Sequence, residues 1–182
     1  MEKKKKQATQ GRKSKSSMAG AVFRSLGTLL LIGLILACLP LTVPRLFGYH
    51  IYSVVSGSME PSIPTGSLVY IGEAELKDVS EGEVIAFYGT RDMASIITHR
   101  VVENRVLTGE FITKGDANQT ADMNPVPYEN VIGKVVHSVP AAGAMAEMFT
   151  SREGKMLAGA VIVGAILLQM LAFLAERREQ MQ

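Results

Sequence analysis

The amino-acid sequence predicts a mainly β protein: a compact antiparallel β domain anchored by two transmembrane helices. Three observations lead there. Apolar residues make up 47% of the 182, and the mean hydropathy is +0.19 although 20% of the residues are charged, so the apolar residues are gathered in blocks. Two of those blocks, Leu26–Val43 and Met156–Ala175, are uncharged and of membrane-spanning length. Between them the pattern changes to short β-type runs separated by turn residues.

Taken in order, residues 1–24 carry eight Lys and Arg against Glu2 alone, a basic cytoplasmic tail whose residues 1–20 are expected to lie disordered near anionic headgroups. The 18 residues of Leu26–Val43 would span about 27 Å as a helix, close to the ~30 Å hydrocarbon core, and place the first transmembrane helix over 25–47. Pro40 and Pro44 are expected to kink or end it near the outer surface. The run exceeds the roughly 7–15 apolar residues of a signal peptide, and no small-x-small cleavage site follows it, so it reads as an anchor. Ile35-Leu36-Ala37-Cys38 is a poor lipoprotein box, and Cys38 reads as a buried membrane cysteine.

The second span is expected over 155–175, with Arg177 and Arg178 behind it in a tail over 176–182. It holds one small-x-x-x-small pair, Ala160 and Gly164, of the kind that helps helices pack. Basic outer flanks put both termini in the cytoplasm, which leaves residues 48–153 outside the membrane. From Tyr49 to Glu153 there are 14 acidic and seven basic residues.

Within this outer segment five runs read as strands: Ser67–Ile71, Glu83–Tyr88, Ser95–Val102, Glu110–Lys114 and Val131–Val136. Pro64-Thr65-Gly66, Glu81-Gly82, Gly89-Thr90-Arg91-Asp92, Thr108-Gly109, Gly115-Asp116 and Asn124-Pro125-Val126-Pro127 break them. Ala141–Thr150 reads as a short helix leading into the second span. The spacing suits a compact antiparallel sheet or barrel.

Several function classes fall away. One cysteine excludes an internal disulfide framework and a Cys-rich metal site, and the three histidines, His50, His99 and His137, lack ligand spacing. The outer segment has no basic stripe, so a nucleic-acid partner is not expected. Its acidic residues are scattered without the pairing that sugar cleavage needs.

What remains is a set of residues suited to nucleophilic catalysis. Ser56-Gly57-Ser58-Met59-Glu60-Pro61 begins 13 residues after the first apolar run. A Ser flanked by Gly and hemmed by Pro61 and Pro64 can be held in a fixed irregular turn, with its hydroxyl exposed and its N–H turned toward an oxyanion. Serine alone is a weak nucleophile and needs a base. His99, in a strand-like run between Thr98 and Arg100, supplies an imidazole, which exchanges a proton near neutral pH. Asp116 and Asp122, in Lys114-Gly115-Asp116-Ala117-Asn118-Gln119-Thr120-Ala121-Asp122, each offer a carboxylate to orient it. Each feature by itself is also an ordinary turn or a structural histidine. A membrane-tethered β domain that binds or scaffolds other proteins without chemistry is the alternative reading.

The three boxes together, Ser56–Pro61, Thr98-His99-Arg100-Val101, and Lys114-Gly115-Asp116 with Asp122 six residues on, resemble those of type I signal peptidases, in the family's order and over about residues 50–136. The main bacterial branch has a Lys at the position of His99, so the resemblance is to the ER-type, Ser-His-Asp branch. It implies Ser58 as nucleophile and His99 as general base, with Asp122 the first candidate for the third member and Asp116 at a second acidic position. It also implies Ser56 as an oxyanion donor, and Met59, Pro61 and Ile63 as apolar contacts to substrate or bilayer. The implied activity is removal of signal peptides from secretory preproteins, cut after small residues, with no metal or cofactor. The implied partners are those preproteins, the lipid bilayer, and a translocon or accessory subunits.

Overall fold

The structure, a computed structural model, describes residues 18–89 and 95–180, the side chains of 178–180 excepted. Residues 1–17 of the basic tail, the Thr90-Arg91-Asp92 part of one expected turn, the Arg178 side chain and residues 181–182 lie outside the described residues. The elements are α1 (Met18–Leu46), β1 (His50–Ser53), β2 (Leu68–Gly72), β3 (Val84–Tyr88), β4 (Ile96–Arg105), β5 (Glu110–Lys114), β6 (Val126–Pro127), β7 (Val131–Val139), α2 (Gly143–Thr150) and α3 (Arg152–Gln180). Helix takes 45% of the chain and strand 26%. The chain as a whole is therefore mixed α and β rather than mainly β. The two long helices extend past the apolar runs that signalled them, and so outweigh the short strands. The described residues fall into two compact units, one within residues 1–37 and 156–182, the other within residues 38–155.

In the first unit, α1 and α3 are each long and apolar enough to cross a membrane. Their large apolar side chains, among them Leu29, Ile35, Ile166 and Phe173, are mostly exposed, a surface suited to lipid and the basis of membrane association. The helices meet through small residues. A Cβ added at Gly27 would lie 3.0 Å from the Ala165 carbonyl, and one at Gly20 3.3 Å from that of Ala172; Ala165 and Ala172 are fully covered. Both pairs repeat at seven residues, so the same faces stay opposed along the helices. Ala160 and Gly164 lie off this seam: Gly164 has open space where a Cβ would go. Arg24 pairs with Glu176, and Gln169 Nε2 donates to Thr28 Oγ1 at 3.3 Å.

α1 does not stop at its first proline; it runs through Pro40 and Pro44 to Leu46. Pro44 has no N–H to give the carbonyl of Pro40, four residues back. That orphaned carbonyl instead accepts the Tyr70 hydroxyl of β2 at 3.2 Å, so the missing bond is replaced from the sheet.

The second unit is a curled antiparallel half-barrel of seven strands in the order β1-β2-β7-β3-β4-β5-β6. β3 shows why it has two apolar faces. Side chains alternate along a strand, so Ile85 and Phe87 join Val79, Val101, Phe111 and Val126 on one face, while Ala86 joins Met59, Ile63, Val69 and Ile71 on the other. The five strands expected from the sequence are β2, β3, β4, β5 and β7. The two that carried no clear signal, β1 and β6, are the sheet's edges. β6 has two residues, one of them a proline, which an edge tolerates because one side of the strand needs no ladder bonds. β4 runs three residues past the expected end at Val102. A bulge between Val101 and Glu103 breaks the period-two alternation there while pairing continues.

Candidate active site

The loop after β1 carries Ser56 and Ser58. It is anchored at both ends: Met59 and Ile63, 2% and 5% exposed, plug into the core. The Ile63 N–H donates to the Met59 carbonyl at 2.8 Å, and Glu60 Oε1 accepts the Thr65 hydroxyl at 2.9 Å and its N–H at 3.3 Å. The Glu60–Pro61 peptide is cis. Ser58, half-buried on this frame, has its Oγ 3.4 Å from Ser56 Oγ. Met59 and Ile63 also line the cavity beside Ser58, whereas Pro61 is exposed.

His99 is buried in β4, its ring in a T-shaped contact with that of Phe87 at 6.2 Å between centroids. Its Nδ1 lies 2.6 Å from Asp122 Oδ2, and the Thr113 hydroxyl donates to that same oxygen at 2.6 Å. The Asp122 N–H in turn donates to the Thr113 carbonyl at 2.8 Å, so β5 fixes this carboxylate through both backbone and side chain. Ser58 is reached through the turn after β5. The Ala117 N–H donates to the Ser58 carbonyl at 2.9 Å. A Cβ added at Gly115 would lie 2.6 Å from that carbonyl and 3.0 Å from His99 Nε2. The nucleophile candidate's backbone and the imidazole's second nitrogen thus converge on one glycine.

Asp116 faces elsewhere. Its carboxylate takes a two-pronged contact from Arg100, Nε to Oδ1 at 2.8 Å and Nη2 to Oδ2 at 2.5 Å, while Arg100 Nη1 donates to the Gly82 carbonyl at 2.7 Å. This fork geometry fits a guanidinium and a carboxylate and ties the Gly115 turn to β4. Arg100 holds the Asp116 carboxyl below the usual carboxylate range, and the Ser62 hydroxyl adds to this. A depressed folded-state pKa means the pair's stabilisation is fully present above the unfolded value and is lost as pH falls through the folded one. Thermal melts of wild type and Asp116→Asn should therefore differ at neutral pH, and the gap should begin to close only as pH falls below about 4. A gap that persists unchanged into stronger acid contradicts the pairing. Glu83, also lowered, by Lys134, is common to both proteins and cancels in the comparison.

Two residues of this arrangement had no distinguishing signal in the sequence. Thr113 is a strand threonine like any other until Asp122, nine residues on, folds back to it. Gly115 read as a turn glycine, and the atoms that require it to lack a side chain come from two other segments.

Two cavities flank the first half of β4. One, of about 350 Å³, is lined by Tyr52, Val54, Ser58, Met59, Ile96 and Thr98, among others. The other, of about 330 Å³, is lined by Phe87, Ile97, His99, Asp122, Met123, Asn124 and Val126. β5 pairs with β4 only from Arg100 onward. Among the described residues, Ile96–His99 therefore have a strand neighbour on the β3 side alone.

A half-buried serine and a buried histidine bonded to a carboxylate approach one turn of an antiparallel sheet, in a chain with two membrane-length helices; serine hydrolases use residues of these three types. Comparison with known proteins gives the family likeness. The chain is 44% identical over 94 residues to signal peptidase I W of Bacillus subtilis, covering 48% of this chain and 47% of that protein. It is 34% identical over 100 residues to the signal peptidase complex catalytic subunit SEC11 of Fusarium vanettenii, covering 50% and 58%. With subunit SEC11C of Rattus norvegicus it shares 27% over 126 residues, covering 63% and 65%. The resemblance to ER-type type I signal peptidases carried by the three boxes is borne out by these relatives. The matches span about half the length of the first two, and no family model matches the chain.

Proposed function

We propose that this chain is a membrane-bound serine endopeptidase that removes signal peptides from secreted preproteins, cutting after small residues. Support comes from one juxtaposition above all: His99 bonded to Asp122, with Gly115 packed so closely that an added Cβ would lie 2.6 Å from the Ser58 carbonyl and 3.0 Å from His99 Nε2. Three relatives named as signal peptidases or their catalytic subunits add to it.

The preprotein's extended segment adds beside β4 at Ile96–His99, whose edge away from β3 carries no strand among the described residues. Its residues one and three before the cut seat in the cavity beside Ser58, whose Met59, Ile96 and Thr98 walls suit small side chains. Ser58 Oγ attacks the carbonyl carbon as its proton passes to His99 Nε2. Asp122, bonded at Nδ1, holds the tautomer and balances the imidazolium. The Ser56 hydroxyl and the Ser58 N–H stabilise the oxyanion. His99 then protonates the leaving amine, and water hydrolyses the acyl-enzyme by the same path. The termini lie in the cytoplasm and residues 48–153 outside. The SEC11 relatives are subunits of a complex, and accessory subunits or a translocon are proposed as partners here too.

Reconstituting the full chain in liposomes with a model preprotein tests this. The expected product begins immediately after a site with small residues one and three before the cut, read by mass spectrometry of its N-terminus. Binding of the preprotein without any cleavage, with accessory subunits supplied, would instead favour a scaffolding role.

A further inference from the structure

The cavity that the proposed reaction leaves unused is the one lined by Phe87, Ile97, His99, Asp122, Met123, Asn124 and Val126. It lies mainly on the opposite face of β4 from the cavity beside Ser58, with Ile97 bordering both. Ile97 and Phe87 pack with the cluster of Val101 and Phe111, whereas Ile96 packs with that of Met59 and Val69. Both cavities open along the same stretch, Ile96–His99, whose edge away from β3 carries no strand among the described residues.

An extended peptide added to that edge must send successive side chains to opposite faces of the sheet. If its residues one and three before the cut enter the cavity beside Ser58, the residue two before the cut faces the other way. We infer that this second cavity is a subsite for the side chain two residues before the cut, and that it selects apolar over acidic side chains there. This rests on the signal-peptidase reading of Ser58 and His99.

The lining argues for that selection. Phe87, Ile97, Met123 and Val126 are apolar, and Met123, 96% exposed, stands at the rim free to fold over a bound side chain. One wall is the Asp122 carboxylate, whose side chain keeps 25% of its surface exposed. An acidic residue would be brought against that charge, while an apolar one covers it from water. Leu or Phe would bury more apolar surface against these walls than Gly or Ala.

The test uses one preprotein with Ala, Leu, Phe, Lys or Asp at the position two before the cut, and the same set one residue after the cut. Cleavage is by the full chain in liposomes. Wild type should cut the Leu or Phe substrates at about five to tenfold higher kcat/KM than Ala, and Asp at least tenfold more slowly than Ala. Met123→Asp should invert the apolar preference, read as the ratio of Leu to Lys substrates within each enzyme. Variation of less than twofold at this position, with cleavage at the expected bond, overturns the subsite and leaves the signal-peptidase reading standing. Sensitivity that follows the residue after the cut overturns the register. Failure to cut any member of the set with accessory subunits supplied overturns the peptidase reading, and the subsite with it.

Discussion

Ser58→Ala and His99→Ala are each expected to lower turnover by about 10⁴- to 10⁶-fold, and Asp122→Asn by about 10⁴-fold, with melting temperatures close to wild type. The members of such a constellation act as a unit, so losing one costs nearly what losing all costs. Asp122→Asn is the informative member. The amide keeps the shape but offers His99 Nδ1 either a neutral oxygen or a competing N–H, which favours the wrong tautomer. The Thr113 hydroxyl, bonded to the same carboxylate oxygen at 2.6 Å, narrows the orientations an amide can take. Asp116→Asn should act differently: it loosens the Arg100 clamp, so its losses should track thermal stability and not exceed about tenfold in kcat at a temperature where the variant is folded. If Asp116→Asn proves the more damaging to kcat, the assignment of Asp122 is wrong.

Gly115→Ala is expected to lower kcat by at least 100-fold. The added methyl would sit 2.6 Å from the Ser58 carbonyl, 2.8 Å from Asn118 Nδ2 and 3.0 Å from His99 Nε2. The first of these is backbone on the anchored serine loop and cannot swing aside as a long side chain would. Relief must come from parting the serine loop and the imidazole, and a misplacement of about 1 Å between reacting groups is enough for such a loss. Overpacking also destabilises by roughly 1–3 kcal/mol, so activity is compared at temperatures below both melting transitions. Gly164→Ala, where a Cβ meets nothing within 4 Å, should leave activity unchanged. A Gly115→Ala enzyme with near-normal kcat would show that the serine and histidine do not work across this glycine.

Much of this architecture is legible in the chain itself. The two apolar helices follow from uninterrupted runs that only lipid or a deep core can cover, and the five inner strands from apolar runs between turn residues. The candidate Ser, His and Asp residues follow from three boxes whose order resembles a family. Legibility ends where the signal is no longer local. The edge strands β1 and β6 are too short to show a period, and β4 continues past a bulge that disrupts its own. The seam between α1 and α3 does not run through the small-residue pair Ala160 and Gly164. It joins Gly20 and Gly27 to Ala165 and Ala172, and needs the two helices opposed before it can be seen.

By itself, the sequence determined the lipid-suited helices, the β character of the segment between them, and the short set of residues able to do acyl-transfer chemistry. Only the tertiary structure decided which aspartate meets which base. Asp116 and Asp122 are six residues apart on one turn, chemically alike in sequence. The pairing of β4 with β5 sets Arg100 opposite Lys114, and the turn that follows turns Asp116 to the guanidinium. The chain then returns to Thr113, which turns Asp122 to His99. Side-chain direction depends on register and on bonds between distant segments, and neither is written in the spacing of the residues concerned.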